Sequence, residues 1–387
     1  MSEIPFNRTK IIATIGPACS SYDQLLELAK AGMDVCRLNF SHGEHEAIQK
    51  ILQHIHKINE DDTFNIAILA DLQGPKLRVG KMPEEGIYLK DGNTILITNQ
   101  EIIGTEEKFT LRYPHLAEDL IPGVKILLDD GKLEVLIEKS INENEVEARI
   151  IHGGILMSKK GFNIPGAKLS VPALTEKDER DLEFILKQDI DWVALSFVRS
   201  ANDVKQLRER ISKEGKELRI IAKIEKPEAV DDIDNIISAA DGIVVARGVL
   251  GIEMPLQAVP VIQKNIIQSC IFAAKPVIVA TQMMESMIEN SIPTRAEVSD
   301  VANAVIDGAD AVMLSAETSV GKYPELTVAT MDKIINDVEK DHRPFYRGTK
   351  PGKDSTTFIS DEICYTAARI SYNLDANGIV VMTQSGS

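Results

Sequence analysis

The chain begins with a repeated pattern in which a short apolar run precedes a segment with apolar residues at helical spacing. The run at 10–16 is followed by apolar positions at 25, 26, 28 and 29, which predict a strand and then a helix. The unit recurs as a strand at 35–40 and a helix at 46–57, and a third strand is predicted at 66–72. This succession indicates β–α units that build a parallel sheet.

The pattern changes between about residues 81 and 170. Short segments of alternating polar and apolar residues occur at 94–98, 125–129, 133–137 and 146–151, and Asp-Gly or Gly-Gly turns separate them. No long helical period intervenes. We therefore expect an inserted all-β domain, a β-barrel lid.

The strand–helix rhythm returns at Thr175, which begins a capping-box-like sequence. Five further strands are predicted at 192–198, 218–224, 242–248, 276–283 and 311–317, with helices at 202–212, 228–239, 257–274, 295–307 and 324–338. Three strands before the insertion and five after it favour an α/β (β/α)8 TIM barrel. An open doubly wound sheet is the alternative.

These patterns divide the chain into four parts. The barrel comprises 1–75 and 173–345, the inserted lid domain comprises 76–172, and 346–387 is expected to be the start of a truncated, incomplete α/β C-terminal domain. The last part carries a predicted helix at 361–374 and a predicted strand at 378–382, which together are too small to bury a core of their own.

Composition narrows the classes of function. The 387 residues carry a net charge of −16, which argues against nucleic acid or an anionic membrane as a partner. No apolar run reaches the ~20 residues of a membrane span, and the N-terminus lacks an export signal. We expect a cytoplasmic protein. Four widely spaced cysteines predict reduced thiols and no sulfur-bound metal.

Each predicted barrel strand ends in polar residues, and catalytic side chains of TIM barrels lie at these C-terminal ends. Lys223 and Glu225 share one face of their strand, so a cation and a carboxylate meet inside if the strand is buried. A structural ion pair is the simpler interpretation of that pair alone. The other strand ends contribute Arg37, Asn39, Ser41, Asp71, Arg247, Gly248, Thr281, Gln282, Ser315 and Glu317. Two cations near carboxylates that can hold Mg²⁺ suit phosphoryl transfer.

Eight blocks of sequence then resemble the signature motifs of pyruvate kinase, in the same order and across nearly the whole chain. They occupy 9–17, 36–43, 71–78, 221–226, 281–287, 293–297, 300–305 and 313–318. The resemblance implies a barrel with an inserted lid and a C-terminal α/β domain. It also implies the last step of glycolysis, the transfer of phosphate from phosphoenolpyruvate to ADP, which yields pyruvate and ATP.

The resemblance also implies roles for individual residues. Lys223, Arg37 and Thr281 would be catalytic and bind substrate, together with the backbone of Gly248 and Val249. Glu225 would ligate Mg²⁺ or Mn²⁺. The monovalent-cation site would consist of Asn39, Ser41, Asp71 and the backbone of Leu72, and the nucleotide would be bound by Asn39, Arg78 and Lys160.

The chain departs from the family pattern at three points. Val249 stands where the family has the second carboxylate for Mg²⁺, so we expect a weakened metal site and impaired turnover. Lys76 stands where K⁺-dependent relatives carry Glu, which predicts weak K⁺ dependence or none. The third departure is the short C-terminal part. We expect a homo-oligomer, and a tetramer if that domain were complete.

Two other functions remain open at this stage. An inactive relative would bind substrate or nucleotide, or mix into oligomers; Val249 and the short C-terminal part favour it, whereas the presence of Lys223, Glu225, Arg37 and Thr281 favours the enzyme. A metal-dependent lyase or aldolase on the same barrel would keep the cations and carboxylates, but the inserted β domain argues against it.

Overall fold

The computed structural model describes residues 7–41, 43–61, 63–75, 77–166, 171–340, 357–374, 376 and 378–382. Its first three strands alternate with two helices. They are β1 (Lys10–Ile15), α1 (Tyr22–Lys30), β2 (Val35–Asn39), α2 (His45–Asn59) and β3 (Ala67–Asp71).

The chain then forms two antiparallel-rich sheets, here called the inserted sheets. Their elements are β4 (Ile87–Leu89), β5 (Thr94–Thr98), β6 (Lys108–Thr110), the short helix α3 (Leu116–Asp119), β7 (Lys125–Leu128), β8 (Leu133–Asn142), β9 (Glu145–His152), β10 (Gly154–Leu156) and β11 (Phe162–Asn163). Six strands pair in the order β11-β7-β8-β9-β5-β6, and β10 pairs with β4. They enclose a hydrophobic core of their own. The all-β character predicted for this stretch is confirmed.

The second half returns to alternating helices and strands. The elements are α4 (Glu176–Ile185), β12 (Trp192–Val198), α5 (Ala201–Lys213), β13 (Arg219–Ile224), α6 (Pro227–Asp231), α7 (Ile233–Ala239), β14 (Gly242–Ala246), α8 (Arg247–Glu253), α9 (Val259–Phe272), β15 (Val277–Ala280), α10 (Arg295–Asp307), β16 (Ala311–Leu314), α11 (Ala316–Ser319), α12 (Pro324–Glu339) and α13 (Phe358–Asn373). Short 3-10 turns at Leu256–Ala258 and Glu285–Ile288 complete the set.

Eight parallel strands close into a barrel in the order β1-β16-β15-β14-β13-β12-β3-β2. Closure is made by β1 and β16, whose register pairs Lys10 with Ala311. The (β/α)8 prediction is thereby confirmed, and the open doubly wound sheet is excluded.

The strands read as nearly unbroken apolar runs because both of their faces are buried. Residues such as Ile12, Leu69, Ile221 and Val244 fill the barrel interior, while their neighbours in sequence pack outward against the helices. Polar and apolar residues therefore do not alternate along a strand until its C-terminal end.

Several predicted boundaries were wrong in the same direction. β14 stops at Ala246, β15 at Ala280 and β16 at Leu314, so the polar residues that follow lie in turns or short helices rather than in strands. The helix predicted at 228–239 is divided into α6 and α7. Turns at these strand ends point several residues toward one site, as is usual for the fold.

The C-terminal helix predicted at 361–374 is present as α13, and none of its residues is buried. The prediction of a strand at 378–382 is wrong, because these residues form no strand. None of the helices in the described ranges is sufficiently long and apolar to span a bilayer.

Candidate active site

A cleft of about 280 Å³ lies at the C-terminal ends of the barrel strands. Its lining from the barrel includes Arg37, Asn39, Ser41, Asp71, Leu72, Ser196, Lys223, Glu225, Lys226 and Val249. From the inserted sheets it is lined by Asp130, Gly161, Phe162 and Asn163. The structure thus brings together most of the site residues predicted from the sequence, and the inserted sheets form one wall.

The charged floor of the cleft continues the inward-facing positions of the strands. Arg37, Asp71, Ser196 and Lys223 each lie two residues beyond an apolar residue that packs in or against the barrel interior. Because side chains alternate along a strand, these four point inward like their apolar predecessors. They therefore form the last interior layer of the barrel, where the apolar core ends.

Asp71 lies between the two cations. Its Oδ2 accepts hydrogen bonds from Nε and Nη2 of Arg37 at 2.8 and 2.6 Å, while Lys223 Nζ lies 3.3 Å away. Arg37 also donates from Nη1 to Thr14 Oγ1 at 2.6 Å. Burial opposes ionisation, but Lys223 and Arg37 outweigh it and hold the pKa of Asp71 below its ordinary value. Asp71 is thus an anion that fixes both cations.

Lys223 has three partners at the cleft. Its Nζ lies 3.2 Å from Glu225 Oε1 and donates to Ser196 Oγ at 2.9 Å, in addition to its pair with Asp71. Burial alone would lower the pKa of Lys223, yet the two carboxylates raise it. The ammonium therefore stays charged and is held at the edge of the cleft.

Glu225 is positioned by an unusual backbone. Phe197 adopts φ 56°, a left-handed conformation that non-glycine residues rarely populate. This turn directs the Phe197 N–H to Glu225 Oε2 at 2.7 Å. One carboxylate oxygen is thus oriented by the backbone and the other by Lys223.

The residues predicted for a monovalent cation also meet in the cleft. Asn39 Oδ1 accepts the Ser41 N–H at 3.0 Å, and the Leu72 carbonyl accepts the Ser196 hydroxyl at 2.8 Å. Amide, carboxylate and carbonyl oxygens on one wall fit a hard cation by donor type. Lys76, predicted to replace that cation, lies outside the described residues.

Thr281 and Gly248 contact each other and are not among the lining residues of the cleft. The Gly248 N–H donates to Thr281 Oγ1 at 2.7 Å, and that hydroxyl donates to the Ala280 carbonyl at 2.6 Å. Thr281 has φ 72°, a strained value for a β-branched residue, and Arg247 Nη2 donates to its carbonyl. The Gly248 amide predicted to bind the substrate carboxylate is therefore engaged by Thr281 here.

The predicted nucleotide ligands of the inserted stretch are held within it. Arg78 Nη1 donates to the Lys159 carbonyl at 2.7 Å, and Lys160 Nζ pairs with Asp129 at 2.8 Å. Neither side chain lines the cleft, whereas Asn39 does. Their contact with nucleotide stays a prediction.

The carboxylates near the cleft fit Mg²⁺ only in part. Within the described ranges, no three His, Cys, Asp or Glu side chains group as a metal site. Glu225 offers a carboxylate, Val249 lines the cleft without an oxygen, and Asp71 is engaged by two cations. This donor set fits a cation that takes its remaining ligands from substrate and water.

Sequence reasoning missed several residues that complete the site. Ser196 interrupts the apolar run of β12, a signal that was available. Lys226 and Glu253 form a buried ion pair, and Asn163 donates to Glu253 from the inserted sheets. No spacing in the sequence connects these three, because they come together only through the packing of separate segments.

Comparisons with known proteins relate this chain to one family. The family model described as "Pyruvate kinase, barrel domain" matches residues 6–328. The pyruvate kinase of Corynebacterium glutamicum is 47% identical over 98% of this chain and 78% of its own length. That of Geobacillus stearothermophilus is 45% identical over 98% of the chain, which spans 65% of that relative. The solved pyruvate kinase of Cryptosporidium parvum superposes with a TM-score of 0.88 at 37% identity, covering 95% of this chain and 77% of that one.

Proposed function

Since the chain belongs to the pyruvate kinase family, we propose that it catalyses phosphoryl transfer from phosphoenolpyruvate to ADP, with reduced turnover because of Val249. The observation that best supports the proposal is the charged Lys223 ammonium, held by Asp71, Glu225 and Ser196 at the edge of the cleft. A fixed cation beside a cleft is what a migrating phosphoryl group requires.

Arg37 and Lys223 would bind the phosphate of phosphoenolpyruvate. Both are anchored on Asp71, so their charges need no rearrangement when negative charge develops on the transferred group. A phosphate approaching from the cleft would compete with Asp71 and Glu225 for the donors of these cations. Because Asp71 contacts both cations, it sets the distance between them. The hydrogen bond from Lys223 to Ser196 restricts the position of the ammonium.

Thr281 would act at the other end of the reaction. Its hydroxyl lies beside the first turn of α8 and donates to the Ala280 carbonyl. A substrate carboxylate at the Gly248 and Val249 amides would replace this hydroxyl as the acceptor of the Gly248 N–H and lie beside it, and Thr281 would belong to the network that protonates the enolate. Asn39, Arg78 and Lys160 would contact the nucleotide.

Glu225 would hold Mg²⁺ or Mn²⁺, and the bound ion would supply positive charge that offsets the charge of the phosphate. In this chain the family's second carboxylate is replaced by Val249, so the metal would depend more strongly on substrate oxygens. We expect a higher Mg²⁺ requirement and slower turnover. The same proposal includes a cytoplasmic location, a homo-oligomeric state and a monovalent-cation site at Asn39, Ser41, Asp71 and Leu72, where the charge of Lys76 would make K⁺ largely unnecessary.

Val249 also supports a second candidate, a protein that binds phosphoenolpyruvate or nucleotide without turnover. The side chain lines the cleft and offers no metal ligand, while Arg37 and Lys223 are retained for anion binding. The two candidates differ in catalysis and share the binding site.

The test compares the chain with Val249→Asp in an assay of pyruvate formation from phosphoenolpyruvate and ADP, across a Mg²⁺ titration. The expected result is a lower Mg²⁺ requirement and at least about tenfold faster turnover in the aspartate variant. Val249→Asn is the matched control, since it adds an oxygen without charge. If phosphoenolpyruvate binds to both forms and neither turns over, the binding-only candidate stands. Absence of binding of both phosphoenolpyruvate and nucleotide would refute both candidates.

A further inference from the structure

A buried polar cluster joins the inserted sheets to the barrel. Glu253, the last residue of α8, is 5% exposed, and its Oε1 accepts from Lys226 Nζ at 2.5 Å and from Asn163 Nδ2 at 2.7 Å. Lys226 is also buried, at 8% exposure. Asn163 lies in β11, so one hydrogen bond of this cluster crosses from the inserted sheets to the barrel.

The two barrel residues of the cluster, Lys226 and Glu253, lie close in sequence to residues of the proposed active site. Lys226 directly follows Glu225, and Glu253 lies one helical turn beyond Val249, so Val249 and Glu253 share a face of α8. Lys226, Val249 and Asn163 all line the cleft. A movement of Glu253 would therefore be transmitted both to α8 and to the segment that carries Glu225.

The carboxylate of Glu253 is incompletely satisfied. Its Oε2 is buried and has no hydrogen-bond partner within the described part of the chain. Hydrogen bonds from Lys226 and Asn163 compensate for taking this charge out of water, and both fall on one oxygen. Loss of the Asn163 donor would leave this buried charge with the lysine alone, which is costly in a low-dielectric site.

We propose that Asn163, Glu253 and Lys226 form a positioning network that couples the position of the inserted sheets to α8 and to Glu225. The role of this network in catalysis rests on the proposed function. Substrate that holds the inserted sheets against the barrel would stabilise α8 through Glu253. By thermodynamic reciprocity, an ordered α8 would favour the same placement of the sheets.

The test is hydrogen exchange on the intact chain, with Asn163→Ala compared with the unchanged protein. In the absence of ligand, the variant is expected to exchange about tenfold faster in 161–163 and in α8, because a hydrogen bond to a charged group has been lost. Asn163→Asp preserves the side-chain shape but places a second carboxylate beside Glu253. It should give a larger effect at neutral pH.

Asn142→Ala is the control, because Asn142 is an exposed asparagine of the same sheets whose amide contacts Glu145. It should leave α8 exchange unchanged. Unchanged α8 exchange in both Asn163 variants would overturn the coupling, and so would an equal change in the control.

Phosphoenolpyruvate separates a positioning role from a merely structural one. If the network positions α8, the ligand should protect α8 in the unchanged chain and protect it less in Asn163→Ala, with a higher KM and a smaller change in kcat. Full protection of α8 in the variant would contradict the proposal. The exchange measured without ligand does not depend on the proposed function. If the proposed function is wrong, ligand binding should be absent while the effect of Asn163→Ala on α8 exchange persists.

Discussion

Arg37 places two nitrogens on a single oxygen of Asp71, with Nε at 2.8 Å and Nη2 at 2.6 Å from Oδ2. The other oxygen, Oδ1, accepts from Lys223 at 3.3 Å and lies 3.2 Å from the Ser196 hydroxyl oxygen. One buried carboxylate therefore organises both cations proposed to bind phosphate. Their spacing depends on its charge.

Replacing Asp71 by Asn is expected to destabilise the fold. The substitution keeps the shape but leaves Arg37 and Lys223 with one anion fewer in a buried site, which typically costs about 3–5 kcal/mol. The free energy of unfolding, measured by urea titration, should fall by that order. Asp337→Asn is the matched control, because its ion pair with Lys340 is exposed and should contribute nothing measurable. Equal stabilities of the two variants would contradict the central role of Asp71.

The stability difference between the unchanged chain and Asp71→Asn should depend on pH. The folded pKa of Asp71 is depressed, so its contribution is full above the unfolded value near ~3.9 and is lost as pH falls through the folded pKa. The folded pKa of Lys223 is raised, so its contribution is full below ~10.4 and is lost above the folded value. Urea midpoints measured from pH 3 to 10 should show a constant difference between about pH 5 and 9 that shrinks on the acid side. A stability difference that grows below pH 4 would contradict this expectation, because the pKa of Asp71 would then be raised in the folded state.

Thr281→Val should weaken the start of α8. The valine is nearly isosteric but cannot accept the Gly248 N–H or donate to the Ala280 carbonyl, and two lost hydrogen bonds cost about 1–2 kcal/mol. Thr281→Ser retains the hydroxyl, so its stability and activity should remain close to those of the unchanged chain. Thermal unfolding and pyruvate formation measured on both variants check this. Equal activity in the valine and serine forms would remove Thr281 from the chemistry.

Activity is expected to need little or no K⁺. The family resemblance implies that Lys76 stands where K⁺-dependent relatives have Glu, and a lysine ammonium there would supply the charge otherwise brought by the ion. The measurement compares turnover in K⁺ and in tetramethylammonium buffers, on the Val249→Asp background so that rates are high enough. Lys76→Glu should restore a K⁺ requirement. A clear K⁺ requirement before that substitution would refute the expectation.

The sequence alone predicts the barrel, because eight apolar runs at strand–helix spacing have few other ways to be buried on both faces. It also identified the inserted β stretch, since alternation and turn residues are local signals. Arg37, Asp71, Lys223 and Glu225 could be placed together because parallel strands deliver their C-terminal ends to one side of a barrel. The significance of Val249 came only from the resemblance to the signature motifs of the family.

The backbone conformation at the strand ends, in contrast, depends on tertiary contacts. Thr281 and Phe197 adopt left-handed backbone that their side chains disfavour, and each makes a hydrogen bond there, Thr281 with Gly248 and Phe197 with Glu225. The contact from Asn163 to Glu253 joins residues 90 positions apart in sequence. Such contacts depend on the relative placement of folded elements, and local periodicity carries no information about that placement.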